Sequence, residues 1–310
     1  MVKFKGSALL TTLFIITLVA IIATAMSVRI RNNIHRSALI ETTDKLYLAS
    51  QAVTFWAMDR LNDPKQSFNH VNTIGKVLSF PKALQSLYPN TVVQGDLFDL
   101  QSRFNLNNLY DERYHSVFYN LLENLGIGDT SIDRKERLDA VIHWLRPPQN
   151  SDVPDEWHDK YAKQNPIYFP SQMPMYHSSE LRMVYGFSAQ DYRKIAPYIA
   201  VFPESVGINI NTTSKKILLS LNASIKEEDV STIINQRAIH PIKDIREISV
   251  FTEKYHIPPE LLSVESHYFL VVATAKSADL SMQLYVILQR QQSKKGTWHT
   301  HLLSQSINTP

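Results

Sequence analysis

The chain has 310 residues and a net charge of +3; that length allows about two domains, and so small a charge leaves no electrostatic footprint for nucleic acid. It contains no cysteine, which excludes disulfides, thiolate catalysis and thiolate metal sites. With 15 Pro against 8 Gly, the middle of the chain is loop-rich and offers no Gly-rich phosphate cradle.

The chain opens on a short basic leader, Met1-Val-Lys-Phe-Lys-Gly6, followed by an apolar run from Ser7 to Met26 with no charge until Arg29. About 20 apolar residues suffice to cross a bilayer core as a helix. Lys3 and Lys5 hold the front end in the cytoplasm by the positive-inside bias, so the remainder should face the far side of the membrane. Three fates are open to the segment. It is removed as a secretory signal peptide at Ala23-Thr24-Ala25, kept whole as a plain anchor, or cut as a prepilin-type leader between Gly6 and Ser7, which leaves the apolar helix on the mature protein. The third agrees best with the residues downstream. From Ser7 to Asp63 there is neither Gly nor Pro, the residues that interrupt helices. The spacing therefore predicts one rod of roughly 85 Å at about 1.5 Å per residue. Its outer half carries Leu39, Leu46, Ala49, Val53 and Trp56 on one helical stripe, suited to a globular head. A cut after Ala25 would start that helix in mid-pattern without a cap.

Asn62-Asp63-Pro64 stops the rod. Phe80–Leu87 reads as a short helix, and Thr91–Asp99 as a strand with a Gly interruption. The Asn repeats between Asp99 and Leu109 read as turn and cap residues, because short amides bond back to the backbone. Residues 111–126 and 131–146 follow as amphipathic helices, the second capped by Ser131 or Asp133. The segment 147–178 is irregular and Pro-rich. Ser178–Tyr185 and Ser188–Ile195 are two further helices, ended by Gly186 and Pro197. After Ile208, a helix spans Lys215–Leu221, and Ser224-Ile-Lys-Glu227 forms a capping box for a helix running to about Arg237. Pro241 restarts a third short helix through Ile248. This arrangement resembles a helix-hairpin-helix or SAM-like unit. Its turn, Leu221–Ile225, has no Gly and is followed by Glu227, Glu228 and Asp229, which favours packing over DNA binding. The chain closes with His267–Thr274 as a strand buried on both sides. Leu280, Met282, Leu284, Val286 and Leu288 then alternate as a strand buried on one face. After a turn at Lys294–Thr297, Trp298–Ser304 returns as a third strand. Such an antiparallel meander could cover the apolar stripe of the rod.

Two kinds of chemistry compete for the middle segment. His143, His158 and His177, with Asp155 and Asp159, are ligand types for zinc, which would make a membrane-tethered periplasmic metal-dependent hydrolase. None shows the helical i, i+4 pairing of a metalloprotease. His299 and His301 share one face of a strand, where a solvent-facing pair is the simpler reading.

Five short motifs lie beyond the leader in order. They are Ser102-Arg103-Phe104-Asn105-Leu106-Asn107-Asn108-Leu109, Glu180-Leu181 through Gly186, Tyr192 through Ala196-Pro197-Tyr198, Ile208-Asn209-Ile210-Asn211-Thr212, and Ser266 through Tyr268-Phe269. With the Gly6 leader they make the chain resemble the K-type minor pseudopilins of the type II (general) secretion system over nearly its whole length. Thr11 stands where most pilins carry Glu five residues after the cut. A carboxylate in the bilayer is expensive without a partner. In the family's filaments the partner is the terminal amine of the subunit ahead, and a tip subunit has none ahead of it.

The resemblance implies an α+β fold: a long N-terminal helix on an antiparallel pilin-like sheet, with a large inserted helical domain. The expected organisation is leader 1–6, rod 7–63, first part of the head 64–99, insert 100–206, SAM-like unit 207–264, and closing strands 265–310. It further implies a non-enzymatic subunit at the pseudopilus tip, in complex with the I- and J-type minor pseudopilins, which helps start pseudopilus assembly for export of folded proteins. Other pseudopilins, the prepilin peptidase and the inner-membrane assembly platform would be its remaining partners, with no nucleic acid. It would be single-pass in the bacterial inner membrane, N-terminus cytoplasmic and the rest periplasmic, cleaved after Gly6 and N-methylated on Ser7. A minor pilin of a type IV or DNA-uptake system is the neighbouring alternative. No cofactor is required, but some K-type members bind calcium beside an Asp-Trp-Ile-Asp stretch. Here that stretch reads His143-Trp-Leu-Arg146. The remaining candidate ligands are Asp152, Asp155, Glu156 and Asp159, for an ion that takes roughly six to eight oxygens.

Overall fold

The structure is a computed structural model that describes residues 7–69, 75–86, 88–146, 156–278 and 280–309. In it the uninterrupted stretch is one 56-residue helix, α1 (Ser7–Asn62), long and apolar enough in its first part to cross a membrane. Its first half is bare. From Leu46 one stripe turns inward, with Leu46, Ala49, Val53, Ala57 and Leu61 all buried at the three- and four-residue spacing of a helix face. Leu39 lies on the bare part of the rod and is exposed, because the head begins only seven residues further on. Trp56 sits at the margin of the stripe, edge-on to Phe80 with ring centroids 5.5 Å apart.

The rod lies on a five-stranded antiparallel sheet. Its strands are β1 (Lys76–Ser79) and β2 (Val92–Asp99) from before the helical body, and three from the end of the chain. Between them come β3 (Phe104–Asn105), α2 (His115–Asn124), α3 (Ser131–Leu145), α4 (Glu156–Ala162), α5 (Ala189–Ile195), β4 (Ile199–Ala200), β5 (Ile208–Asn209), α6 (Lys215–Ser220), α7 (Glu227–Ile239), α8 (Ser249–Lys254) and β6 (Leu262–Ser263). The closing meander is β7 (Tyr268–Ser277), β8 (Leu280–Gln292) and β9 (Trp298–Ile307), and the sheet order is β1-β2-β7-β8-β9. Its rod-facing side supplies Val93, Leu97, Val271, Ala273, Leu284, Val286 and Leu288 to the core beneath α1. Gly95 in β2 does not interrupt the strand. A Cβ there would lie 2.3 Å from Val53 Cγ1, so its bare backbone is what lets the rod approach the sheet.

A second core unites residues from Phe104 to Leu262, drawing on both the insert and the segment of α6 to α8. A small patch of Leu100, Ala200, Phe202 and Tyr268 joins this body to the sheet. Phe202 stacks on Tyr268 there at 4.4 Å.

Several elements differ from the sequence expectation. Phe80–Leu87 forms only one 3-10 turn, Lys82–Leu84, with Leu87 outside the described residues, and Ser178–Tyr185 is likewise a 3-10 helix, Ser178–Met183. The N-cap of α3 is Thr130, whose side chain accepts from Asp133 N, rather than Ser131 or Asp133. The Ser224 capping box does not form: the Ser224 hydroxyl donates to Asn222 Oδ1 at 2.7 Å, and the N-cap of α7 is Lys226. The short strand β1 and the helices α4 and α8 were not expected. Each is of seven residues or fewer, too short to carry a period of its own and held by tertiary packing.

Candidate functional site

The outer face of the rod is the first candidate. Directly opposite the buried stripe, Leu48 and Phe55 are 60% and 67% exposed, seven residues apart and so on one face of the helix. Beside them β9 forms the edge of the sheet. Gln51 Nε2 donates to Gln305 Oε1 at 3.1 Å and to the Tyr47 hydroxyl at 2.9 Å, which ties that edge to the rod. Thr11 lies in the exposed apolar part of α1, and Ser7 is the first described residue of the helix. Gly6 lies outside the described residues.

The second candidate is a buried polar seam that gathers most of the family motifs. Asp99 ends β2 and is fully buried. One carboxylate oxygen accepts from Gln101 N at 2.8 Å; the other accepts from Asn209 Nδ2 at 3.1 Å, Ser266 Oγ at 2.7 Å and the Thr212 hydroxyl. Burial pushes the Asp99 pKa up to about 6, against the pull of its hydrogen bonds from Thr212, Ser266, Gln101 and Asn209. The buried Arg103 guanidinium has its pKa lowered by burial, which the Asp99 charge partly offsets.

The asparagines do more than cap turns. Asn105 caps the following 3-10 helix, and its amide also donates to Asn108 Oδ1 at 3.0 Å and to the carbonyls of Phe202 and Glu204 at 3.2 and 3.1 Å. Asn107 brackets Met175, accepting from its N–H at 2.9 Å and donating to its carbonyl at 3.0 Å. Asn108 donates to Val206 O at 2.9 Å. Asn211 does for Ile242 what Asn107 does for Met175, at 2.8 Å each way. A primary amide presents one acceptor and two donors, so it imitates a strand neighbour and joins segments that no ladder connects. Glu180 accepts from the backbone N–H groups of Tyr176 and His177 at 2.7 and 3.0 Å, and Leu181 is buried in the body's core.

One residue was missed altogether. Arg290 stands in β8 two positions beyond Leu288, where the alternation points it under the rod. Its Nε donates to Leu61 O at 2.7 Å, and its guanidinium lies 3.8 Å from the Trp298 ring centroid and 5.0 Å from that of Phe68. It thus takes up a free carbonyl of the rod's last turn and sets a positive charge at its negative end. The signal available was a lone Arg continuing the apolar series Leu284, Val286, Leu288.

Among the described residues the metal candidates do not converge. Asp152 and Asp155 lie outside the described residues, and Glu156 and Asp159 are exposed on α4. His143 is buried and stacked on Trp157, and His158 is stacked on Phe169 at 4.6 Å. His177 accepts from Ser179 N as the cap of a 3-10 helix. His299 and His301 are exposed on β9. Among the described residues no group of three or more His, Asp or Glu could hold a metal ion. At the place of the expected carboxylates, Arg146 donates to Tyr110 O and covers the Tyr110 ring. A fixed cation there opposes a divalent cation beside it.

Comparison with known proteins places this geometry. Residues 102–204 match the model of the first domain of type II secretion system (T2SS) protein K. The chain is 26% identical to the type II secretion system protein K of Pectobacterium carotovorum over 93% of its own length and 96% of that protein. It is also 26% identical to that of Aeromonas hydrophila, over 94% of each. Its fold is similar to a chain in the crystal structure of the GspK-GspI-GspJ complex from the enterotoxigenic Escherichia coli Type 2 Secretion System. The TM-score is 0.71 at 17% identity, covering 89% of this chain and 100% of that one.

Proposed function

We propose, for a chain that belongs to the type II secretion system protein K family, that it is a non-enzymatic minor pseudopilin at the tip of the pseudopilus, in complex with I- and J-type minor pseudopilins. The observation that carries this reading is the bare outer face of the rod. Leu48 and Phe55 stand in solvent on a helix whose opposite face is fully packed, and paired apolar residues seven apart suit the flank of another long helix. The similar chain from E. coli was solved as part of a complex with GspI and GspJ, which supports the same partnership here. The wide body between β2 and β7 would obstruct a further subunit, and Thr11 fits a position with nothing ahead of it.

The test is co-purification of the full-length chain with the I- and J-type subunits from membranes. Phe55→Arg and Leu48→Arg should each lower recovery of the partners about tenfold, since a charge driven into a packed interface costs at least ~1.4 kcal/mol. Melting of the free subunit should stay unchanged, because both side chains are exposed. Undiminished recovery with both substitutions would remove the rod face from the interface.

Orientation and processing belong to the same reading. Lys3 and Lys5 favour a cytoplasmic start, and the junction of the basic leader with the apolar run fits a mature chain cut after Gly6 and N-methylated on Ser7 by the prepilin peptidase, before delivery to the assembly platform. An intact mass measured on the membrane-extracted protein would decide it. A chain beginning at Met26, or still carrying Met1, would end the assignment.

Calcium has no part in this proposal. With Arg146 at the candidate site, EGTA should shift the melting temperature of the subunit by less than about 1 °C relative to millimolar calcium. Stabilisation of several degrees by calcium would require ligands from residues 152–155 and overturn that statement.

A further inference from the structure

The neck of the rod, between the apolar run and the head, carries Arg29, Arg31 and Arg36, all exposed. No acidic residue precedes Glu41 in the whole chain, and Glu41 is engaged by Lys45 at 2.6 Å. Among the described residues the three guanidiniums make neither an ion pair nor a hydrogen bond, unlike Arg113, Arg134, Arg137 and Arg246 of the body. Position along the helix says what they meet. Arg29 is 22 residues beyond Ser7, or about 33 Å at ~1.5 Å per residue, and a bilayer core is about 30 Å thick. Arg29 and Arg31 therefore emerge at the headgroup level, and Arg36 stands about 10 Å beyond Arg29. The first buried residue of the head, Leu46, is about 25 Å beyond Arg29, so the head leaves this level uncovered.

We infer that Arg29, Arg31 and Arg36 form a binding collar for the phosphate headgroups of anionic phospholipids in the leaflet nearest the head. Distribution around the axis decides between lipid and protein. At about 100° per residue, Arg29 and Arg36 share one face with Asn33 between them, while Arg31 points to the opposite side with His35 above it. A neighbouring rod would meet one face only; lipids surround a helix on every side. The planar guanidinium pairs two N–H groups with two phosphate oxygens, and the long stem lets it reach back to the headgroup plane. The collar fixes the depth of the subunit, and its contacts have to break when the subunit is lifted from the membrane into a filament. The inference rests on the single-pass anchoring proposed above.

The test uses the full-length chain in nanodiscs of phosphatidylglycerol and phosphatidylcholine at a ratio of about one to three. Lipids that stay bound after mild detergent release are counted by native mass spectrometry. Phosphatidylglycerol should be enriched about threefold over its bulk share. The triple variant R29Q/R31Q/R36Q should return to the bulk ratio, and R29K/R31K/R36K should keep part of the enrichment, because lysine retains the charge and loses the fork. Bulk composition around the unmodified chain, or equal enrichment around the glutamine variant, would overturn the collar. Alkaline carbonate extraction run in parallel separates the two readings: release of the chain would count against anchoring itself, whereas retention without lipid selectivity counts against the collar alone.

Discussion

Asp99→Ala should lower the stability of the head and body by about 3–5 kcal/mol, read as a fall in the urea midpoint of the detergent-solubilised chain. The substitution removes the one group that accepts from Gln101 N, Asn209 Nδ2, Ser266 Oγ and the Thr212 hydroxyl together. A buried donor left unsatisfied costs about 1–3 kcal/mol, offset in part because a buried charge disappears with the side chain. Acidity gives a second readout with a fixed sign. The folded pKa of Asp99 is about 6 against an ordinary 3.8, so between those values the folded chain holds a proton that the unfolded chain has already lost. Stability from this group is therefore fully present below about pH 3.8, is lost as pH rises through about 6, and stays lost above it. The difference is on the order of 3 kcal/mol. The unmodified chain should then gain stability from pH 7 to pH 5 relative to Asp99→Asn, which has no proton to bind. Parallel urea midpoints for the two proteins at both pH values would sink this account of the seam.

Arg290→Ala should cost about 2–4 kcal/mol and loosen the rod before it unfolds the sheet. The guanidinium is held between Trp298 and Phe68 and donates to Leu61 O, so the substitution removes a cation–π contact, leaves a buried carbonyl without its donor and opens a cavity. Amide exchange in the last two turns of α1 should accelerate more than exchange in β7 and β8. Lysine should rescue little, since its ammonium neither stacks as a plane nor offers the same fork of donors. Equal acceleration in rod and sheet would mean that Arg290 supports the fold generally and does not clamp the rod in particular.

What the sequence revealed depended on the length of the pattern. The rod was legible because nothing between Ser7 and Asp63 breaks a helix, and the closing strands because alternation persists from Leu280 to Leu288. The motifs around Asn105, Glu180 and Asn209 were legible as a family signature but not as a structure. An asparagine that brackets the backbone of a residue 31 or 68 positions away looks, in sequence, the same as one that caps its own turn. Asp99 is similar: its partners lie 110, 113 and 167 residues downstream, and no local rule connects them. The Ser224 box failed for a related reason. The pattern was present, but the Ser224 N–H and hydroxyl both turn back to Asn222 Oδ1, and the helix starts only at Glu227 with Lys226 as its N-cap. In β1 the four residues adopt a strand only because β2 lies alongside.

Within the sheet, β2 and β7 are antiparallel neighbours, with Asp99 opposite Phe269, and everything between those two residues returns to the point from which it left. The whole helical body is thus the loop of a β-hairpin. Its base is stitched by the Asp99–Ser266 hydrogen bond of 2.7 Å. Loop closure becomes only slowly more expensive with length, and a loop that leaves and re-enters through one pair of adjacent strands imposes no strain on the strands beyond it. The sheet beneath the rod is therefore indifferent to the size of what it carries: the load can be enlarged, trimmed or exchanged while the five strands and the helix across them keep the same register.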